Sequence, residues 1–280
     1  LALLSFGFLK WSDNMSSKNI MRKEHSTTFY TIISVITLLV FFGVWEMIPR
    51  LGIVPPSMLA APSDVVLRFI DKLSNPNPDN AILWVHVWVS LKEALIGYLL
   101  ALAIGIPVGL AMGWFKVFEG LVRPVFEIIR PIPSPAWIPL CIIWLGIGLA
   151  SKVFIIFAGA LVPCVINSYS GVAMTNPTYI RMAKTYGASD WQIFKDICIP
   201  SALPMVFGGL QVALAAAWTC LVAAELVGAD AGLGYLITMG RRMMLPDLII
   251  LGMVMVALTG VAVTIIIAYV ERQLVKGMKK

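Results

Sequence analysis

The chain is 280 residues long, 59% hydrophobic and only 13% charged, with a formal net charge of +6. That much apolar side chain cannot be hidden in one soluble core of this length, which excludes a water-soluble globular domain and makes the bilayer the solvent. The basic excess matches the attraction of positive loops to the anionic inner face of a membrane, so nucleic acid is not implied as a partner.

In chain order, Leu1 to Leu9 is apolar but lacks a starting Met and a basic flank, which argues against a cleaved signal peptide. Met15 reads as the natural start, with residues 1–14 a disordered or start-site extension and 1–28 a cytoplasmic tail carrying Lys18, Arg22 and Lys23. Phe29 to Ile48 is long and apolar enough to form span one, ended by Pro49. Ser63 or Asp64 then caps a short amphipathic helix on the outer surface, with Val65, Val66, Phe69 and Ile70 on its apolar side.

Span two, Trp88 to Gly113, repeats small residues at four-residue intervals: Gly97, Ala101, Gly105, Gly109 and Gly113. Such a stripe lets helices approach closely in lipid, so it predicts a packing face, either within the subunit or against a second copy. Lys92 and Glu93 sit near the outer end, where long side chains snorkel to water.

Span three begins near Phe118 and is interrupted by Arg130-Pro131-Ile132-Pro133-Ser134-Pro135-Ala136-Trp137-Ile138-Pro139. Prolines at this density cannot continue a regular helix, and freed backbone at membrane depth is tolerated only inside protein or beside a water-filled cavity. The break, with Arg130, Pro131, Pro133, Pro135, Trp137 and Pro139, is therefore the candidate translocation path; a kink buried in the bundle is the plainer alternative.

Span four runs from Lys152 to Ala173 and span five from Ala202 to Gly228, where Glu225 stands in an apolar stretch. An intramembrane carboxylate is a functional candidate by default, and its structural alternative is a partner for Arg241 or Arg242. Residues 229–246 read as a flexible, Gly-rich outer segment, in which Gly232, Gly234, Arg241 and Arg242 suit a gate or a contact with an extracytoplasmic partner. Span six, Leu248 to Val270, leads into a basic tail at 272–280, and the charge distribution puts both termini inside.

The chain has no Gly-x-x-x-x-Gly-Lys-Ser/Thr run, so it carries no P-loop and is not itself an ATPase. Its four cysteines and two histidines lack metal-ligand spacing, and no metal or other cofactor is expected on it. No cluster of His, Asp and Ser offers a membrane enzyme's catalytic centre, and no inverted repeat points to a secondary transporter driven by ions, the remaining alternative.

Between spans four and five lies the most informative polar stretch, residues 175–200. Small residues (Ala183, Gly187, Ala188, Ser189) leave a shallow face on a short helix beside Arg181 and Lys184. Gly187 breaks that helix, and a second one follows from Asp190 to Ile199, before Pro200 closes the loop. Two short helices joined at a glycine make a lever on which another protein can dock.

The register Ala183, Gly187, Ile197, Pro200 resembles the EAA loop of ABC importer permeases, with Arg181 where the pattern usually has Glu and Ile199 where it has Leu. Further stretches resemble the nitrate/sulfonate/taurine branch of that family: Arg130-Pro131-Ile132-Pro133, Trp144-Leu145-Gly146-Ile147-Gly148, Val222-Ala223-Ala224-Glu225 and Gly232-Leu233-Gly234, nearest to taurine and alkanesulfonate permeases. The resemblance implies an all-α, polytopic bundle of about six transmembrane helices with the type I ABC importer permease fold, spanning residues 29–271 in a bacterial plasma membrane. It also implies a homodimer, a cytoplasmic ATPase dimer that holds ATP and Mg²⁺, and an extracytoplasmic substrate-binding protein. Under it, Arg181, Ala183, Lys184, Gly187, Ala188, Ser189, Ile197 and Pro200 couple to the ATPase. Small anions are the expected cargo, with taurine or an alkanesulfonate ahead of nitrate, bicarbonate and thiamine- or riboflavin-type precursors.

Overall fold

The computed structural model describes residues 27–278, so most of the expected N-terminal tail lies outside the described residues. Among the described residues all regular structure is helical: α1 (Thr27–Arg50), α2 (Pro62–Lys72), α3 (Leu83–Trp114), α4 (Lys116–Ile129), a 3₁₀ turn (Ser134–Trp137), α5 (Ile138–Leu145) and α6 (Leu149–Ala173). These are followed by α7 (Pro177–Thr185), α8 (Asp190–Ile193), a π turn (Phe194–Cys198), α9 (Ile199–Val227), α10 (Leu233–Arg242) and α11 (Pro246–Met278). Among the described residues five helices are long and apolar enough to cross a membrane, or six if α4 and Ser134–Leu145, bent by 83° at the proline break, count as one span.

Two compact units divide at Asp64. In the first, none of the apolar window of α1 is buried within the chain, as suits a helix whose side chains meet lipid. Pro49 does not stop α1 but sits in its last turn. A small polar knot pins the helix end: Arg50 donates to Glu46 Oε1 (3.2 Å) and Asp64 Oδ1 (2.7 Å), and Ser63 Oγ donates to Glu46 Oε1 (2.6 Å).

The second unit is built on α3, α6 and α9. The small-residue stripe of α3 turns inward, against α6 of the same chain: a Cβ at Gly97 would lie 2.6 Å from Ile156 Cγ2, at Gly105 2.7 Å from Cys164 Cβ, at Gly109 2.5 Å from the Val165 carbonyl, and at Gly113 2.7 Å from Val172 Cβ. The two backbones approach this closely only because those side chains are missing. On the far side of α6, Gly209 of α9 closes on Asn167, and Ala213, Leu214 and Ala217 complete a core with Ala94, Tyr98, Ile155 and Ala160. Trp218 donates to the Val256 carbonyl (3.1 Å) and seats its indole over Gly260, fixing α11 against α9. The four cysteines are buried and free.

Three expectations change. Pro200 does not end a loop: it occupies the first turn of α9, where its missing N–H costs little, and the π turn before it merges the second loop helix with span five. Residues 229–246 contain a helix, α10, because Leu233, Leu236 and Gly240 recur at helical spacing and bury one face, with Gly240 closing on Ile249 of α11. α11 continues to Met278, over most of the expected tail at 272–280.

Candidate functional site

The loop between α6 and α9 is an elbow made by local chemistry. Asn176 caps α7 through its side chain, which accepts the Thr178 N–H (2.9 Å), with Pro177 behind it in the first helical turn. At the other end Gly187 adopts φ +82°, and the Gly187 and Ala188 N–H groups return to the Lys184 and Ala183 carbonyls (both 3.0 Å), a glycine-terminated helix end. Ser189 then opens α8 with a reciprocal cap: its Oγ accepts the Gln192 N–H (3.3 Å) and its own N–H donates to Gln192 Oε1 (2.8 Å). Lys184 and Asp190 pair across the turn at 3.2 Å.

Arg181, Lys184, Gly187, Ser189 and Pro200 are exposed, while Ala183, Ala188 and Ile197 are half-buried against a small core of Val172, Ile193, Phe194, Cys198 and Ala202. Phe194 anchors the elbow to the end of α3, with ring centroids 5.8 Å from Trp114 and 5.6 Å from Phe115. The elbow is thus an exposed projection of two capped helix starts, seated on the bundle through Phe194. Trp191 is exposed, with its ring 5.7 Å from that of Phe194.

The proline break opens a cleft of about 440 Å³. Arg130, Pro131, Ile132, Pro133 and Ser134 form one wall, Gly159, Val162, Pro163, Ile166 and Asn167 of α6 a second, and Val212 and Ala216 of α9 a third. Of the sequence candidates, Arg130, Pro131 and Pro133 meet there. Pro135 and Pro139 are exposed outside that lining, and Trp137 packs partly buried against the core. Arg130 remains exposed, with one nitrogen 3.3 Å from Glu127.

Glu225 lies elsewhere, in a buried polar cluster that joins α3, α6, α9 and α10. Its Oε1 accepts from Ser90 Oγ (2.5 Å) and its Oε2 from the Gly234 N–H (2.7 Å). Ser90 Oγ in turn accepts the Leu233 N–H (2.8 Å), and His86 Nδ1 accepts the Gly232 N–H (3.1 Å). The first N–H groups of α10, which no intrahelical carbonyl can satisfy, are therefore taken by side chains of α3 and α9, and the carboxylate sits where the helix dipole favours negative charge. Gly232 and Gly234 are buried against Glu225, and a Cβ at Gly234 would lie 2.8 Å from Glu225 Cβ.

The second His86 nitrogen, Nε2, lies 2.8 Å from Asp79 Oδ2, and Asp79 pairs through Oδ1 with the fully buried Lys72. Lys152 Nζ donates to Glu93 Oε1 (2.7 Å), both groups buried. Two readings are corrected here. Glu225 pairs with Ser90 and α10, not with Arg241 or Arg242, which stay exposed; and Glu93 does not snorkel but is locked to Lys152. The bundle also holds more ionisable groups than the apolar sequence suggested. Lys72, Asp79 and His86 lie within one short stretch of sequence, but nothing in that stretch marks them as a buried group; Lys152 meets Glu93 from 59 positions away, and a lysine at the start of an apolar span is its one sequence signal. Among the described residues no group of His, Cys, Asp and Glu is arranged to hold a metal ion.

Comparison with known proteins places this geometry in context. The family model described as "Binding-protein-dependent transport system inner membrane component" matches residues 101–280. The taurine transport system permease protein TauC of Escherichia coli (strain K12) is 31% identical over 242 residues, 86% of this chain and 88% of that protein. The nitrate import permease protein NrtB of Synechococcus elongatus is 33% identical over 208 residues, 72% of this chain and 74% of NrtB. A chain of the MetNI methionine ABC transporter, solved in an inward-facing conformation, superposes with a TM-score of 0.51 at 21% identity, covering 66% of this chain and 97% of its own, a likeness of fold alone.

Proposed function

The chain belongs to the family of binding-protein-dependent transport system inner membrane components, and from that premise we propose that it imports a small organic anion, with taurine or an alkanesulfonate first. Two copies form the path across a bacterial plasma membrane, with termini and the 175–200 elbow in the cytoplasm. A separate ATPase dimer, which carries ATP and Mg²⁺, receives the elbow through Arg181, Ala183, Lys184, Gly187, Ala188, Ser189, Ile197 and Pro200. An extracytoplasmic binding protein delivers the cargo, and the exposed Arg241 and Arg242 are its candidate contacts.

The observation that carries this reading is the elbow itself: capped at both helix starts, turned at Gly187 and seated on the α3 end through Phe194, it can pass a push to the bundle without deforming. The cleft at Arg130 supports an anionic cargo, and its apolar remainder suits a short alkyl chain better than bare nitrate. TauC supports taurine; NrtB supports nitrate as the alternative, with bicarbonate and thiamine- or riboflavin-type precursors behind it. Ion-coupled transport draws on the buried cluster around Glu225, but Glu225 is held by Ser90 and the start of α10, and Glu93 by Lys152, as a structural lock requires.

Purification of the intact chain from its membrane is expected to bring a soluble ATPase with it. A side chain at Gly187 has open space but an unfavourable φ of +82°, at about 1–2 kcal/mol. Gly187→Val should therefore fold yet lose most of the ATPase. Retained ATPase and full uptake in that variant would remove the elbow from coupling. Mass spectrometry of the ligand carried by the co-purified binding protein decides the cargo, and a sulfonate is the expected result.

A further inference from the structure

α4 carries Lys116, Glu119, Arg123 and Glu127, and Arg130 continues it in helical conformation (φ −52°, ψ −41°). At 3.6 residues per turn these five charges fall within an arc of about 80°. Every other residue from Val117 to Ile129 is apolar, Gly or Pro. A helix lying flat on a membrane surface shows a broad polar face, whereas one narrow charged seam on an otherwise apolar helix suits a wall that meets lipid or protein on most sides and water along one line. At 14 residues, α4 is about 21 Å long and too short to span alone.

The seam has two fixed ends. Near its start Glu119 Oε1 accepts from Tyr169 Oη of α6 (2.8 Å) and from Arg123 (2.9 Å); at its finish Arg130 lines the cleft beside Asn167. It thus meets α6 near the elbow through Glu119 and reaches the cleft at Arg130, while the helix between them makes few close backbone contacts with α6. Arg123 and Arg130 each have a carboxylate alongside, Glu119 and Glu127. The three cations stand seven residues apart, about 10 Å per step.

We propose that the charged seam of α4 lines the water-filled exit from the Arg130 cleft to the cytoplasm, and that Lys116, Arg123 and Arg130 pass a small anion along it. The carboxylates beside Arg123 and Arg130 keep those stops weak enough to leave, the condition for conduction through successive sites. This rests on the import reading above, since it assigns a direction and a cargo charge to the same cleft.

The test is thiol labelling of the complete permease–ATPase complex in membranes. Lys116→Cys, Glu119→Cys, Arg123→Cys and Glu127→Cys are compared with Val117→Cys, Leu121→Cys and Val125→Cys, using a charged, membrane-impermeant methanethiosulfonate. The unsubstituted chain, with its four buried cysteines, gives the background. Seam positions should label at least tenfold faster than the apolar ones in the nucleotide-free complex and slow several-fold when the ATPase is trapped with ATP and vanadate. Equal labelling in both states makes α4 a surface helix and overturns the proposal, as does a seam that never labels. An intact complex with either result leaves the import reading standing; a chain that brings no ATPase removes both.

Discussion

Glu225 shows what one buried carboxylate does in this bundle: with Ser90 and His86 it accepts three successive N–H groups at the start of α10. Glu225→Ala leaves the Ser90 hydroxyl and the Gly234 N–H without partners in a buried site, at about 1–3 kcal/mol for each group so stranded. Thermal unfolding of the purified protein should show a marked fall in Tm for Glu225→Ala and a much smaller one for Glu225→Gln, which keeps an acceptor. Equal falls would mean that the charge, and not the hydrogen bonding, is what the site needs. That an acid stood in span five was legible from the sequence; its partners were not, because Ser90 lies 135 positions away and Gly234, only 9 away, offers a backbone N–H that no side-chain pattern announces, while Arg241 and Arg242 stay exposed.

At the scale of elements, the apolar windows and the prolines located most helices, since length and hydrophobicity are what the bilayer reads. The α3 stripe was recognised as a packing face, but its two possible partners could be told apart only when α6 was seen against it. The contact predicts a graded result: Gly109→Leu must push a side chain into the Val165 carbonyl and Ser168, whereas Gly120→Ala on α4 meets nothing within 4 Å. Size-exclusion profiles and yields of the two variants should separate, with Gly109→Leu failing to accumulate as folded protein and Gly120→Ala behaving as the parent; normal behaviour of Gly109→Leu would mean that the helices can part. α10 was missed because a short helix in a Gly-rich segment has too few residues to stand out. The continuity of the elbow with α9 was missed because Pro200 reads as a stop unless a π turn precedes it.

At the scale of the whole molecule, family membership makes the chain the inner membrane component of a larger transport system. In vesicles holding the complex, uptake of the cargo delivered by its binding protein should require ATP and persist when the proton gradient is collapsed. Uptake that follows the gradient instead would restore the ion-coupled reading and give the Glu93–Lys152 and Glu225 cluster a transport role. The sequence by itself determined that the chain lives in a bilayer, where span three breaks and where the elbow turns, because each depends on the local chemistry of a few consecutive residues: apolar length, proline density, a glycine at positive φ. Only the tertiary structure decided that the glycine stripe closes on α6, that Arg130 faces a cleft with Asn167 and that Glu225 caps α10. Apart from Glu225 and Gly234, 9 positions apart, those pairings join residues tens of positions apart, and they exist only because close helix packing brings them within a few ångströms.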